Sequence, residues 1–332
     1  MARKTVYFKN EPKIIGVYSI AGPKESEGSF GKYIKETLAD DLFGETTFEK
    51  AECKMLSKAI KKAIEVSGLG ESDINTMLSG DLLNQIISAS FAARDFEFSY
   101  IGLYNACSTF SEALALSAAL IDGGYFENTV SATGSHFATA ERQYRYPLEL
   151  GSTRPPQSQW TVTGAGAAVV SSNGGGDYPK IVAATFGKVV DFGVTDANKM
   201  GCAMAPACAD TLETLFMETK TKPNDYDLIL SGDLGLLGSE VLLNLCRKKG
   251  FDISFNHADC GEMIYNLDKS EYQGGSGAGC SAVVFTSLIY EKLKRKEIKK
   301  MIFIATGALL STVSAEQGES IPGVAHAVIL ES

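Results

Sequence analysis

A chain that carries the same short words twice, in the same order, is constrained to fold as two copies of one unit. Leu78-Ser79-Gly80-Asp81-Leu82 returns as Leu230-Ser231-Gly232-Asp233-Leu234. Cys107-Ser108, followed by Ala132-Thr133-Gly134, returns as Cys280-Ser281, followed by Ala305-Thr306-Gly307, and both matches lie 173 residues apart. Gly164-Ala165-Gly166-Ala167-Ala168-Val169-Val170-Ser171 is echoed by Gly323-Val324-Ala325-His326-Ala327-Val328-Ile329-Leu330. Two copies at a period of about 160 residues are too long for a solenoid and too few for a propeller, so the pattern reads as a duplicated domain. The Gly-rich stretch Ser172-Asn173-Gly174-Gly175-Gly176-Asp177 marks the boundary, giving halves at 1–174 and 175–332.

The halves differ in one place. Asp81 and Cys107 are 26 residues apart, but Asp233 and Cys280 are 47 apart, so the second half carries 21 additional residues there. His257, Asp259, Cys260 and Glu262 fall within that interval. Paired halves with one loaded loop are expected to place a site at the seam, where side chains of both copies meet.

Composition removes several functions. With 332 residues, 45% of them hydrophobic, the chain can bury one large core or two packed together. A net charge of −9 argues against a nucleic-acid partner, because phosphate binding needs Lys and Arg in excess over a surface. No apolar run reaches the length of a spanning helix, and Met1-Ala2-Arg3-Lys4 leads into a mixed polar segment without a signal-peptide core. The expectation is a cytosolic-type soluble protein, or one peripheral to a membrane. Its seven cysteines are expected to be reduced, and three widely spaced histidines with no Cys-x-x-Cys predict no metal site.

Apolar periodicity predicts strands at 14–18, 74–78, 100–104, 129–133 and 167–170 in the first half, with helices over 48–66, 84–94 and 108–121. The second half repeats the plan through apolar segments at 181–190, 212–217, 228–230, 241–248, 281–293, 302–305 and 324–330. Alternating strands and helices argue for a mostly parallel sheet covered on both faces. The helices at Ser108 and Ser281 are apolar nearly all round over their first turns, so they are expected to bury each other between the two halves.

Cys107 falls between a strand and such a helix. Free amides and the partial positive charge at a helix start favour a thiolate, and the same amides can receive an oxyanion or a ligand carboxylate. The alternative is a small apolar residue packed at a tight turn.

Asn105-Ala106-Cys107-Ser108-Thr109, at the start of a central buried helix in a duplicated half, resembles the thiolase and ketoacyl synthase superfamily. The resemblance implies an α/β thiolase-like fold of five layers, α-β-α-β-α. By position it makes Cys107 the match of the acyl-accepting nucleophile and His257, in Asn256-His257-Ala258-Asp259, the match of the histidine. Ser276 then stands where the superfamily has Asn. A serine hydroxyl offers one donor on a shorter arm, which puts condensing chemistry in doubt and leaves Cys107, His257 and Ser276 as remnants of a catalytic set. Gly274-Gly275-Ser276-Gly277 follows no strand at the spacing of a dinucleotide fingerprint.

Longer stretches are similar to one branch, the stage V sporulation protein AD family. They are 21–25, 79–85, 102–108, 135–147, 203–206, 259–265 and 306–311. This resemblance implies a non-enzymatic protein of the forespore and spore, peripheral to the inner membrane, that binds dipicolinic acid. It also implies partners among the membrane proteins of the same operon and a role in dipicolinate uptake and release. An acyltransferase using Cys107 and a scaffold with a vestigial pocket are the competing readings.

Dipicolinate is a flat pyridine ring with two carboxylates, and its pocket needs an apolar slot, donors and a cation. The expected ligand contacts are Cys107, Ser108, His136, Arg142, Arg145, His257, Ser276 and His326. Against this, each arginine has a structural alternative in a pair with Glu141 or Glu149, His136 in bonding to backbone, and Cys260 in packing. Calcium is a possible companion of the ligand, since the acidic chain has carboxylates to spare. Superfamily relatives pair first-half strands across a two-fold axis, which implies a homodimer formed through 98–104.

Overall fold

The computed structural model describes residues 2–145, 148, 151, 154–265 and 273–332. Duplication is visible in strand order. In the first half the strands run Lys13–Ala21, Gly164–Ser171, Asn128–Ser135, Thr76–Gly80 and Ser99–Gly102 across the sheet; in the second they run Lys180–Phe186, Gly323–Glu331, Lys300–Ala308, Leu228–Ser231 and His257–Asp259. Among the described residues the two sheets meet at a corner, where Lys13 pairs with Lys180, and Thr5–Tyr7 of the first half also pairs with Lys180–Phe186 of the second. Each half mixes directions instead of being mostly parallel. Thr76–Gly80 is parallel to both neighbours, while Gly164–Ser171 is antiparallel to both of its own. The reversed strand is the last of each half, Gly164–Ser171 or Gly323–Glu331, and the other four strands of that half run in one direction.

The Thr109–Asp122 helix packs against strands of both sheets, and the Ala278–Val284 helix lies against Asn128–Ser135 and Gly164–Ser171. Both helices are buried between the sheets, with Phe110 edge-on to Phe285 and Phe303 at their contact. Phe48–Ser67 covers the outer face of the first sheet, and Met200–Thr219 with Gly235–Lys248 covers that of the second. Five layers result. Phe48–Ser67 starts where the Thr47 hydroxyl accepts the Lys50 amide and stops at Gly68, whose φ of +80° ends the helix.

Three sequence expectations change in detail. The 84–94 helix is broken: Gln85 and Ile86 have left-handed φ, and the regular helix is Ile87–Ala93. The 212–217 segment is the end of a helix that begins at Met200 and passes through Pro206. The 281–293 helix contains a wider turn over Phe285–Ile289. His257 and Asp259 lie on the counterpart of the Ser99–Gly102 strand, so they belong to the duplicated plan; the additional chain of the second half lies chiefly beyond them.

Candidate functional site

Cys107 is carried on a sharp turn between a strand and the first central helix. Ala106 takes φ +51°, a left-handed conformation that costs a non-glycine residue energy. The turn is held by close backbone approach. A Cβ on Gly307 would come within 2.4 Å of the Asn105 carbonyl oxygen, and one on Gly80 within 2.0 Å of that of Leu103. Both glycines belong to the repeated words, which explains in physical terms why those words contain glycine.

The thiol borders a cavity of about 250 Å³ at the seam of the halves. Leu82, Ala106, Ala140 and Tyr144 of the first half face Met200 and Ala308 to Leu310 of the second. Polar atoms are few: Cys107, Tyr104, Arg145, Thr161, Ser276 and Ser311. Arg145 is the one cation among the described lining residues. Its side chain is buried, with Nη2 donating to Thr161 Oγ1 at 2.6 Å and lying 2.8 Å from a Glu141 oxygen. Arg154 reaches the same Glu141 oxygen at 2.9 Å. Two guanidinium groups therefore share one carboxylate, and the buried trio keeps one net positive charge beside the cavity. Burial works against the charge on Arg145, and Glu141 works to retain it.

Under Cys107 and Ser276 lies Asp233, fully buried. Its carboxylate accepts from the Gly277 amide at 2.9 Å, Ser276 Oγ at 3.2 Å and Thr306 Oγ1 at 3.1 Å, and it receives the Cys107 thiol. Burial raises Asp233 to about 7. Burial also raises the Cys107 thiol well above its ordinary value, and the neighbouring carboxylate adds to this; Arg145 opposes it. The helix start does not deliver the expected thiolate, because desolvation and Asp233 outweigh it. Ser108 does not reach the cavity, since its amide and hydroxyl both bond to the Asn105 carbonyl, the hydroxyl at 2.7 Å.

The three histidines and Arg142 stand elsewhere. His257 Nε2 is 2.8 Å from Ser231 Oγ, whose hydroxyl donates to Asp259, so Nε2 carries the proton. Burial lowers His257 to about 4 and keeps it neutral. His136 caps the helix Phe137–Tyr144, its Nδ1 accepting from the Ala138 amide and its Nε2 facing the Asp41 carbonyl. His326 accepts the Gly187 amide on Nδ1 and faces Asn105. Arg142 is on the other side of the same helix, 3.5 Å from Glu49 and over the Phe48 ring. The structure thus gathers Cys107, Arg145 and Ser276 of the expected set, and leaves Ser108, His136, Arg142, His257 and His326 outside the lining. Glu149, the other expected arginine partner, and residues 146–147 lie outside the described residues. Cys260 is buried in the core, as packing requires.

Asp233, Arg154, Thr161 and Met200 were not singled out by sequence reasoning. Asp233 had a signal, the recurrence of Leu-Ser-Gly-Asp-Leu, which marks a residue the fold uses twice. Its counterpart Asp81 is also buried and accepts the Leu83 and Ala89 amides at 2.7 Å each.

A family model for stage V sporulation protein AD (SpoVAD) matches residues 2–331. The stage V sporulation protein AD of Bacillus subtilis (strain 168) is 40% identical over 329 residues, spanning 99% of this chain and 97% of that protein. Among solved structures, cerulenin-bound OleA of Xanthomonas campestris superposes with a TM-score of 0.64 at 13% identity, covering all of both chains. AbyA1, a tetronic acid condensing enzyme, does so with a TM-score of 0.61 at 14% identity over 96% of this chain and all of its own. These two establish the thiolase-like fold.

Proposed function

The chain belongs to the stage V sporulation protein AD family, and from that premise we propose that it is a binding protein for dipicolinate in the forespore and spore, not an acyltransferase. The observation that carries this reading is the buried Arg145–Glu141–Arg154 trio, which among the described residues sets two guanidinium groups against one carboxylate beside an apolar cavity. A carboxylate entering there completes the charge balance, and a guanidinium offers it paired donors. A volume of about 250 Å³ suits one aromatic ring with two carboxyl groups better than a long acyl chain. Cys107 paired to a carboxylate, and Ser276 already donating to that carboxylate, are poorly arranged for acyl transfer and oxyanion binding.

In this reading the protein joins the membrane proteins of its operon at the inner spore membrane as a peripheral component; no described helix is long and apolar enough to cross a membrane. Ser99–Gly102, at the edge of its sheet and largely exposed, is the strand through which a homodimer would form.

Titration calorimetry with dipicolinate, with and without calcium and against pyridine-2-carboxylate, tests the proposal. Saturable binding that weakens at least about tenfold in Arg145→Ala, yet persists in Arg142→Ala, is the expected result. Absence of binding, together with an acyl adduct on Cys107 by intact mass after incubation with acyl-thioesters, would replace this reading with the acyltransferase one.

A further inference from the structure

Asp233 is a buried carboxylate, bonded to no cation among the described residues, placed directly beneath two polar groups of the cavity lining. We propose that it takes up one proton when a dianionic ligand enters, and that this turns Ser276 and Cys107 from donors toward Asp233 into donors toward the ligand. The inference rests on the dipicolinate reading above and assigns that site a regulating residue.

The hydrogen-bond directions carry the argument. With Asp233 ionised, its four donors are the Gly277 amide, the Thr306 hydroxyl, the Ser276 hydroxyl and the Cys107 thiol. The last two belong to the cavity lining, and each has a single hydrogen to give. While those hydrogens point at Asp233, a ligand carboxylate meets oxygen and sulfur lone pairs with an anion just behind them. A proton taken from solvent onto Asp233 Oδ2 reverses this. The new O–H donates to Ser276 Oγ, and the Ser276 hydrogen swings into the cavity. The single new hydrogen serves Ser276 alone; the Cys107 hydrogen is freed because the carboxyl it faced is no longer an anion. The Gly277 amide and Thr306 hydroxyl need no rearrangement, since a neutral carboxyl still accepts from both.

The surroundings favour a proton that moves. Asp259, capping the Cys260–Ile264 helix, is a second carboxylate that makes the ionised form of Asp233 harder to hold. Cys260 on that helix, Cys280 on the second central helix and Cys107 are the further titratable neighbours, and burial keeps all three as thiols. Arg145, just past the end of Phe137–Tyr144, faces the site through Cys107 and is paired with Glu141 of that helix, and His257 bonds to Ser231 instead. Without ligand, burial already raises Asp233 to about 7, so a nearby anion needs to shift it only modestly to keep it protonated at neutral pH.

Calorimetry of the wild-type chain with dipicolinate, in buffers of different ionisation enthalpy at pH 6 and pH 8, measures the protons exchanged. Dipicolinate is fully ionised across that range, so it contributes none. Uptake approaching one proton per ligand at pH 8, and far less at pH 6, is expected, with affinity falling up to about tenfold per unit above pH 7. Asp233→Asn should bind with no proton uptake and a flat pH profile. Binding without proton uptake in the wild type, or uptake that persists in Asp233→Asn, overturns the inference and leaves dipicolinate binding standing. No binding at either pH overturns the dipicolinate reading and this inference with it. The wild-type proton count decides the matter even where the variant does not fold.

Discussion

Cys107 shows how far a residue's neighbours can outweigh its position. A cysteine at a strand-to-helix turn invites a nucleophilic reading, because helix-terminal amides favour the thiolate. Here the thiol is buried and its hydrogen-bond partner is itself an acid, so both dominant influences favour the protonated form. The sequence contained Cys107 and Asp233 but not their contact, which bridges the two halves across 126 residues. The same blindness misplaced the histidines: at 257 the ring turns to Ser231 along its own sheet, and at 136 it caps a helix. The chemical consequence can be measured. Cys107 is expected to react with iodoacetamide at pH 8 at least about tenfold more slowly than an exposed thiol. Removing the repelling carboxylate in Asp233→Asn should speed that reaction, followed by peptide mapping across the seven cysteines. A wild-type rate equal to that of an exposed thiol would show that Cys107 is activated after all.

At the scale of elements, the repeated words were the most legible part of the chain, because they sit where each sheet turns into its central helix. Regular strands and helices followed from periodicity, whereas the irregular ones did not. The left-handed pair Gln85–Ile86 and the wide turn at Phe285–Ile289 depend on what they pack against, and apolar spacing carries no trace of that. Duplication also hid an asymmetry. Gly134 and Gly307 close the same word, yet a Cβ on Gly134 would lie 3.3 Å from the Ala165 side chain, while one on Gly307 would lie 2.4 Å from the Asn105 backbone. Only the second glycine is pressed against the turn that carries Cys107. Gly307→Ala should therefore cost about 1–3 kcal/mol and weaken ligand binding by moving that turn, while Gly134→Ala should stay within about 1 kcal/mol. Urea denaturation of both variants checks this, and equal losses would mean that the two strand ends are interchangeable.

The molecule buries several acids, and this sets how its stability follows pH. Burial raises Glu25 to about 7, Asp81 to about 6, Asp233 to about 7, and Glu52 well above its ordinary value. Glu25 is held by the Tyr265 hydroxyl and the Thr163 amide, and Glu52 by Thr139. Unfolded, such carboxyls titrate near pH 4, so between about pH 4 and 7 the folded chain holds more protons than the unfolded one. Their contribution is fully present at low pH and is lost as pH rises through the folded values. The buried histidines oppose this trend. His257 and His326 are lowered to about 4, so between about pH 4 and 6.5 the folded chain holds fewer protons at them and gains stability as pH rises. Four carboxyls outnumber these two histidines, so the offset below about pH 6.5 is only partial. The urea midpoint is therefore expected to fall as pH rises from about 5 to 7.5. Glu25→Gln should shrink that fall if the variant folds, because its side chain is neutral at every pH. A midpoint that rises across the neutral range would mean that these carboxyls stay ionised in the folded protein, and it would remove the basis for a mobile proton at Asp233.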